Sequence, residues 1–150
     1  MGDLEIRPAT TDDVPAIVAM LADDPLGAQR ESLDDLTPYL TAMERLRADP
    51  NQHLVVAVRD ERVVGTLQLT IIPGLSRRGT TRSVIEGVRI HADERGGGLG
   101  SLMMEWAIDT SRREGCHLVQ LTSDNTRTDA HRFYERLGFT ASHVGFKLAL

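Results

Sequence analysis

The chain has 150 residues, of which 41% are hydrophobic and 26% are charged, and this length suits a single domain spanning residues 1–150. Its 17 basic and 22 acidic residues give a net charge of −5, which argues against a nucleic-acid partner because such proteins usually carry a basic surface. The one cysteine, Cys116, excludes an intrachain disulfide and a multi-cysteine zinc site, and we expect no metal. With no signal peptide and no apolar segment near the ~20 residues that span a bilayer, we expect a cytoplasmic protein without a membrane partner.

The first half of the chain predicts one strand, two helices and three further strands. In order, these are a strand at Leu4–Arg7, a helix over Val14–Leu21, a helix from about Leu33 to Ala48, and strands at His53–Arg59, Val63–Ile72 and Thr81–Ile90. Short-range pairing makes the strands at 53–59 and 63–72 antiparallel partners. Gly87 lies inside the strand at 81–90, which predicts a bulge or a close backbone approach there.

The second half predicts helices alternating with strands. In order, these are a helix from about Gly98 to Arg113, a strand at His117–Thr122, a helix at Asp129–Leu137, and closing strands at Phe139–Ala141 and Val144–Leu148. The order β-α-α-β-β-β-α-β-α-β-β indicates an α/β protein with a mixed sheet. Its early strands are antiparallel, and a βαβ unit follows around residue 98.

A glycine cluster, RGGGLGS at residues 95–101, lies between a predicted strand and a predicted helix. Glycine opens backbone conformations that other residues avoid, and a helix N-terminus offers unpaired N–H groups and a partial positive charge. Together they form an anion site suited to a pyrophosphate, with Arg95 as a cation at its edge. A P-loop is excluded because its lysine is absent, and the dinucleotide fingerprint fails at Ser101, where it requires glycine.

The same segment fits a third pattern, [RQ]-x-x-G-x-[GA], and residues 130–139 (AHRFYERLGF) fit A-x-x-F-Y-x-x-x-G-F. The two motifs are separated by one helix, one strand and the start of another helix. With the element order, they resemble the GNAT N-acetyltransferases, and the second motif resembles bacterial small-molecule members. The resemblance implies a GNAT-like fold over nearly the whole chain, with two central parallel strands that splay apart, and acetyl-coenzyme A as the cosubstrate.

The resemblance also implies three groups of coenzyme-binding residues. They are Val88, Arg89 and Ile90 on the splayed strand; Arg95, Gly96, Gly97, Gly98, Leu99, Gly100 and Ser101 in the pyrophosphate loop; and Asn125, Arg127 and Tyr134 around the last helix. Many family members carry asparagine seven residues before the tyrosine, where this chain has Arg127. Either Arg127 or the nearby Asn125 could therefore make that contact.

Two catalytic residues follow from the resemblance. Tyr134 occupies the family's usual acid position, from which a phenol could protonate the departing thiolate, while the Val88 N–H could polarise the acetyl carbonyl. Glu86 is the candidate base, because an alkyl amine with a pKa of about 10 must lose a proton before it attacks. A bulge at Gly87 could aim Glu86 into the acceptor cleft.

Other roles for these side chains remain open at this point. Glu86 could instead form a structural ion pair with Arg82 or Arg89, and His117 and His131 are weaker candidates for the base. No sequence feature marks Cys116 as an activated nucleophile, which favours direct transfer in a ternary complex.

The acceptor is expected to be the primary amine of a small molecule, but the charges around it point in opposite directions. An acidic rim would favour a cationic amine; its members are Asp23, Asp24, Glu31, Asp34 and Asp35. The loop at Pro73–Arg82, with Arg77 and Arg78, could meet an anionic substrate or the partner in a homodimer. The alternatives are a protein lysine or N-terminal acetyltransferase and a non-catalytic acyl-coenzyme A binding module.

Overall fold

The computed structural model describes residues 2–150. Its strands are β1 (Leu4–Pro8), β2 (Gln52–Arg59), β3 (Arg62–Ile72), β4 (Arg82–Ile90) and β5 (Leu118–Leu121). Its helices are α1 (Val14–Ala22), α2 (Gly27–Arg30), α3 (Thr37–Ala48), a one-turn α4 (Ser76–Gly79), α5 (Leu99–Arg113) and α6 (Thr128–Arg136). The strands form one sheet in the order β1-β2-β3-β4-β5, antiparallel up to β4 and parallel between β4 and β5. The mixed α/β fold is thus confirmed.

Helix α5 packs its apolar stripe against one face of the sheet. Leu99, Met103, Met104 and Ala107 are buried there, together with strand residues such as Leu67. These positions recur at helical spacing, so one side of α5 is buried while the other stays polar. A buried hydrogen bond of 2.7 Å joins the hydroxyls of Ser83 on β4 and Ser111 on α5, which fixes the far end of the helix to the strand that leads to the glycine cluster.

The opposite face of the sheet is covered by α1 and α3, where Val14, Val18 and Met43 form a second cluster with Leu54 beside it. The turn before α1 is held by Asp13, whose carboxylate accepts hydrogen bonds from the Thr10 N–H at 2.7 Å and from Arg7 at 2.8 Å. This arrangement satisfies N–H groups that a helix start leaves unpaired. It directs α1, and the residues that follow it, across β4.

Helix α3 begins at Thr37, four residues later than the sequence predicts. Pro38 stands in its first turn, a position that suits proline because no intrahelical N–H is needed there. The apolar residues Leu33 and Leu36 extended the predicted pattern toward the N-terminus. In the structure they precede the helix, and Leu33 is 57% exposed.

The two predicted closing strands are wrong for this structure. Residues 139–150 contain no strand, and they are mostly exposed. Gly138, at φ +99°, ends the preceding helix as predicted. The alternation in Val144–Leu148 is a real strand pattern, but no neighbouring strand pairs with it among residues 2–150, and an isolated strand has no partner for its backbone groups.

Candidate active site

Strand β4 carries a bulge at Gly87 that separates the side chains of the candidate site. Glu86 lies opposite Gln68 and Arg89 lies opposite Thr66, so Gly87 and Val88 of β4 together oppose the single residue Leu67 of β3. Gly87 has φ +61°, a conformation that favours glycine, and a β-carbon there would lie 3.9 Å from Leu21 of α1. The predicted bulge is confirmed.

The bulge places Glu86 and Arg89 on one face of the sheet, since the residues opposite them, Gln68 and Thr66, share that face. Val88 packs with the core on the other face. Glu86 is exposed, and no ion pair engages it among the described residues. The structural pairing with Arg82 or Arg89 that the sequence left open is therefore not formed.

Strands β4 and β5 pair only over their first four residues. The parallel register runs from Arg82 opposite Leu118 to Ile85 opposite Leu121, and residues 86–90 of β4 have no partner on the β5 side. The carbonyl of Val88 accepts a hydrogen bond from the Arg89 side chain at 2.8 Å, and the carbonyl of Ile90 accepts one from Arg95 at 3.2 Å. Both carbonyls thus bond to side chains that an incoming polar ligand could replace.

The glycine loop opens directly onto the start of α5. Gly96 and Gly98 have φ of +83° and +84°, and a β-carbon at either position would meet nothing within 4 Å. The first helical hydrogen bond runs from the Leu102 N–H to the Gly98 carbonyl, so the N–H groups of Leu99, Gly100 and Ser101 precede the helical ladder. These donors and the open space above the glycines fit a pyrophosphate.

Gly100 contributes to packing between the glycine loop and α6, in addition to its place in the candidate anion site. A β-carbon at Gly100 would lie 3.4 Å from the ring of Phe133 on α6. Arg95, half-exposed at the edge of the loop, pairs with Asp23 at 3.3 Å. The loop is therefore attached both to α6 and to the segment after α1.

Tyr134 lies on α6 between two aromatic rings, with centroid distances of 5.3 Å to Phe133 and 6.1 Å to Phe139. Burial raises the pKa of Tyr134, and the charges of Arg89 and Arg127 partly offset that rise. Because the pKa is raised, the phenol is protonated at neutral pH, and among residues 2–150 no hydrogen bond engages its hydroxyl. These are the properties that an acid needs.

Asp24, which the sequence analysis placed in an acidic rim, pairs with two arginines in the structure. It accepts hydrogen bonds from Arg127 at 3.2 Å and from the Gly27 N–H at 2.6 Å, and it lies 3.3 Å from Arg89. Burial alone would raise the pKa of Asp24, but the Gly27 hydrogen bond and the charges of Arg127 and Arg89 outweigh it and lower the pKa. The sequence indicated only its negative charge and its position before Pro25, and no local pattern indicated its arginine partners.

Arg89 and Arg127 flank Asp24, and Arg30 lies close enough for its charge to act on Arg89. We call Arg30, Arg89 and Arg127 the arginine cluster. Burial lowers the pKa of Arg89; Asp24 opposes this effect, whereas the charges of Arg127 and Arg30 add to it. Asp124, on the loop before α6, also feels Arg127 and Arg30, which contribute to lowering its pKa. Near the Tyr134 ring, the charges of Arg89 and Arg127 act on the phenol, and Asp24 pairs with both guanidinium groups.

The other candidate side chains named in the sequence analysis lie in different surroundings. The His131 ring bonds to the Asp124 carbonyl at 2.8 Å, and His117 is exposed at the start of β5. Burial raises the pKa of the Cys116 thiol. Asn125 is exposed on the loop before α6. Within residues 2–150 no group of three metal-ligating side chains comes together and no helix is long and apolar enough to cross a membrane.

Comparison with known proteins matches this chain to relatives along its whole length. It is 32% identical to the aminoalkylphosphonate N-acetyltransferase of Salmonella typhimurium, over 97% of this chain and 91% of that protein. It is 31% identical to the glucosamine 6-phosphate N-acetyltransferase of Trypanosoma brucei brucei, over 93% of this chain and 99% of that protein. A solved structure from Bacillus halodurans, described as a transcriptional regulator, superposes with a TM-score of 0.95 at 46% identity, covering 99% of this chain and 100% of that one.

The profile of the acetyltransferase (GNAT) family matches residues 15–139, a range that includes β4, the glycine loop, α5 and Tyr134. Proteins of this family use acetyl-coenzyme A. The structure contains the elements that the sequence resemblance implied: the separating strands β4 and β5, the glycine loop, and helix α6 with Phe133 and Tyr134. The chain belongs to the acetyltransferase (GNAT) family and is an acyltransferase.

Proposed function

We propose that this enzyme transfers the acetyl group of acetyl-coenzyme A to the primary amine of a small molecule, by direct attack in a ternary complex. The observation that supports this most strongly is the segment 86–90 of β4, which has no partner on the β5 side and which begins at Glu86 and leads to the glycine loop. One continuous surface thus offers donors for a pyrophosphate, strand backbone for an extended amide chain, and a carboxylate for an amine. The proposed coenzyme site consists of the strand residues 88–90 and the loop residues 95–101.

The coenzyme supplies the acetyl group as an activated thioester, and the chain's own residues supply the proton transfers. Glu86 accepts a proton from the ammonium group of the acceptor, directly or through a water. The amine nitrogen then forms its bond to the acetyl carbon while the Val88 N–H stabilises charge on the carbonyl oxygen. As the carbon–sulfur bond breaks, Tyr134 donates its proton to the sulfur. The nitrogen releases its second proton to solvent as the neutral amide forms, and the tyrosinate takes up a proton from solvent.

Direct transfer is favoured over a covalent acetyl-enzyme because of the state of Cys116. A nucleophilic cysteine needs a lowered pKa, yet burial raises the pKa of this thiol. We expect Cys116→Ala to retain nearly full turnover, measured as thiol release from acetyl-coenzyme A. A loss of more than about tenfold in a folded variant would point to an acetyl-cysteine intermediate instead.

The arginine cluster supports an acceptor that carries a phosphate or phosphonate group. The acidic rim inferred from the sequence loses two members here, because Asp23 pairs with Arg95 and Asp24 pairs with Arg89 and Arg127. Near Tyr134 lie the guanidinium groups of Arg89 and Arg127, with the single carboxylate of Asp24 between them, and guanidinium groups recognise phosphate-type oxygens well. Two relatives that are at least 31% identical act on acceptors of this kind by name, an aminoalkylphosphonate and a sugar phosphate.

This acceptor class is tested by comparing 2-aminoethylphosphonate with ethanolamine, which presents the same primary amine without the anion. We expect kcat/KM to favour the phosphonate, and Arg127→Gln to reduce that preference about 10–100-fold, the value of a charge-assisted hydrogen bond. The KM for acetyl-coenzyme A should stay unchanged. A raised coenzyme KM with an intact acceptor preference would instead assign Arg127 to the coenzyme.

A protein acceptor and a non-catalytic binding module are the other candidates. The exposed position of Glu86 is compatible with a large acceptor, so a peptide lysine and a peptide N-terminus belong in the same assay. A binding module would be stabilised by the coenzyme yet release no thiol with any amine. The free phenol of Tyr134 and the unpaired carboxylate of Glu86 both favour the enzyme.

A further inference from the structure

One carboxylate joins the two sides of the gap between the separating strands. Arg89 lies on the part of β4 that has no partner on the β5 side, and Arg127 lies in the loop between β5 and α6. Asp24 is 3.3 Å from the Nε of Arg89 and 3.2 Å from a terminal nitrogen of Arg127. In the part of the chain that the structure describes, it is the one carboxylate that pairs with two arginines. Asp24 therefore bridges two cations that belong to different elements.

The main chain holds Asp24 in place independently of the arginines. The Gly27 N–H donates a hydrogen bond to an Asp24 carboxylate oxygen at 2.6 Å, and the Asp24 side chain is only 18% exposed. Gly27 itself is tightly packed, since a β-carbon there would clash with the Leu21 carbonyl oxygen near the end of α1. The turn after α1 is thus a fixed support, to which the two long arginine side chains attach.

Both guanidinium groups keep N–H donors that Asp24 does not use. A guanidinium carries several N–H donors in a planar fork, and Arg127 reaches Asp24 with a single nitrogen. Arg89 donates to the Val88 carbonyl at 2.8 Å, while its Nε is buried and makes no hydrogen bond among residues 2–150. Asp24 therefore restrains Arg89 by charge. The charge of Arg127 lowers the pKa of Arg89, which shows that the two cations repel each other and that a further anion would stabilise them.

We propose that Asp24 is a positioning residue for the acceptor, which holds Arg89 and Arg127 together across the gap so that both bind one phosphate or phosphonate group. This inference rests on the proposed acetyl transfer to an anionic amine, and it adds the residue that sets the acceptor preference. The tetrahedral anion has enough oxygens to accept hydrogen bonds from both guanidinium groups at once. Without the Asp24 charge, repulsion separates the two cations, and the acceptor meets each of them singly.

The first experiment replaces Asp24 by asparagine, which keeps an oxygen for the Gly27 N–H and removes the charge. We expect Asp24→Asn to reduce the preference for 2-aminoethylphosphonate over ethanolamine about tenfold or more, because misplaced arginines bind the anion poorly. The loss should lie in the KM for the phosphonate rather than in kcat, whereas a general structural fault would lower kcat for both acceptors.

The matched control is Asp34→Asn, the same charge change at an exposed position of the acidic rim, which should keep the preference. An unchanged preference in Asp24→Asn would overturn the proposal. A stronger preference would also overturn it, since Asp24 would then compete with the acceptor's anion. Asp24→Glu keeps the charge and should retain more of the preference than Asp24→Asn, and an equal loss in both variants would contradict a role for the charge.

A double-mutant cycle measures whether Asp24 acts through Arg127. We expect Asp24→Asn combined with Arg127→Gln to lose little more preference than Arg127→Gln alone, because the carboxylate has then lost a group that it positions. Losses that multiply would show that the two residues act independently, and this result would overturn the proposal.

Binding to the complex with coenzyme A separates this inference from the proposed function. Calorimetric titration with 2-aminoethylphosphonate needs no turnover, and we expect Asp24→Asn to weaken this binding about tenfold or more. If the protein binds the phosphonate in this Asp24-dependent way but acetylates no amine, the proposed function fails and the positioning role of Asp24 stands. If it acetylates ethanolamine and the phosphonate equally well and binds them equally, the positioning role fails and the acetyl transfer stands.

Discussion

Tyr134 shows how a single side chain acquires a chemical role from its surroundings. The aromatic rings of Phe133 and Phe139 desolvate the phenol and raise its pKa, while Arg89 and Arg127 limit the rise. Deprotonation of the phenol is therefore expected only above the ordinary tyrosine pKa of about 10. Across the neutral range Tyr134 can donate a proton to a departing thiolate.

Replacing Tyr134 tests this role. We expect Tyr134→Phe to lower kcat about 10²-fold or more, because the thiolate would leave without a positioned acid, and to leave the Kd for coenzyme A within a few-fold. The matched control is Tyr39→Phe, which removes the chain's other phenol. The Tyr39 hydroxyl donates a hydrogen bond to Glu31 and accepts one from the Ser32 N–H, on the side of the sheet that α3 covers. Equal kcat for Tyr134→Phe and wild type would show that Tyr134 is not the acid.

Glu86 is tested by varying the basicity of the acceptor. We expect Glu86→Gln to reduce kcat/KM for an alkyl amine about 10²–10⁴-fold, the usual contribution of a positioned base. The loss should shrink with trifluoroethylamine, whose nitrogen is already unprotonated at neutral pH. The variant Glu105→Gln, on the exposed side of α5, serves as the control. A loss that is equal for both amines would assign Glu86 to binding rather than to proton removal.

At the scale of single elements, α5 offers a matched pair of glycines for testing the pyrophosphate loop. Gly98 precedes the helix at φ +84° and Gly115 follows it at φ +80°, and a β-carbon at either would meet nothing within 4 Å. Alanine in this conformation costs about 1 kcal/mol of folding stability at each position. The two changes therefore impose similar strain at opposite ends of one helix.

We expect Gly98→Ala and Gly115→Ala to lower the melting temperature similarly, while only Gly98→Ala weakens coenzyme A binding. The added methyl group would stand where the phosphates approach the first N–H groups of α5. Calorimetric titration of both variants with coenzyme A measures the difference. Unchanged affinity in Gly98→Ala would contradict the assignment of the loop.

The turn before α1 predicts a pH dependence of stability. The hydrogen bond from Arg7 lowers the pKa of Asp13, and burial opposes it without reversing the effect. A folded pKa below the unfolded value of about 3.9 means that Asp13 stabilises the fold above that pH and loses its contribution as the pH falls through the folded pKa. We expect Asp13→Asn to lower the free energy of unfolding by about 1–3 kcal/mol at pH 7, and by less near pH 3.

Urea unfolding at both pH values measures this difference. Asp12→Asn, at the exposed neighbouring position in the same turn, is the control and should be nearly neutral. A penalty for Asp13→Asn that is equal at pH 7 and pH 3 would mean that packing, not charge, accounts for it.

Local patterns predict most elements of this protein because the positions of the apolar residues along the chain match the geometry of each helix or strand. Helix α5 and strands β2 to β4 lie within a residue or two of their predicted bounds. The helix has an apolar stripe at helical spacing, and the strands are short apolar and β-branched runs bounded by turn residues. The bulge at Gly87 was visible as a glycine inside a strand. Val144–Leu148 carries an equally regular pattern, yet a strand also needs a partner, and no local signal shows whether one is present.

At the scale of the whole molecule, the proposed coenzyme site could be inferred from the sequence because its residues lie in one loop and one strand. The arginine cluster could not be inferred from the sequence. Asp24 and Arg127 are 103 residues apart, and only the packing of α1 and α6 around β4 brings them together. Sequence spacing does not indicate such a long-range contact. The acidic residues after α1 therefore have no visible partner in the sequence, and they suggested a cationic acceptor.

Coenzyme binding by the folded molecule is itself measurable. At a concentration 100 times its Kd, a ligand that binds only the folded state adds about 2.7 kcal/mol, or about 5–10 °C in Tm for a chain of this size. We expect acetyl-coenzyme A to produce a shift of this order, and Arg95→Ala to need a higher coenzyme concentration for the same shift. No shift at saturating acetyl-coenzyme A would contradict the coenzyme site.

The most direct test of the central claim is thiol release from acetyl-coenzyme A with 2-aminoethylphosphonate as the acceptor, with the product identified by mass spectrometry. The account predicts amine-dependent release of one thiol for each N-acetylated product, at a higher kcat/KM than with ethanolamine. Thiol release with neither this acceptor nor any amine or peptide of a broad panel, in a protein that still binds the coenzyme, would contradict it.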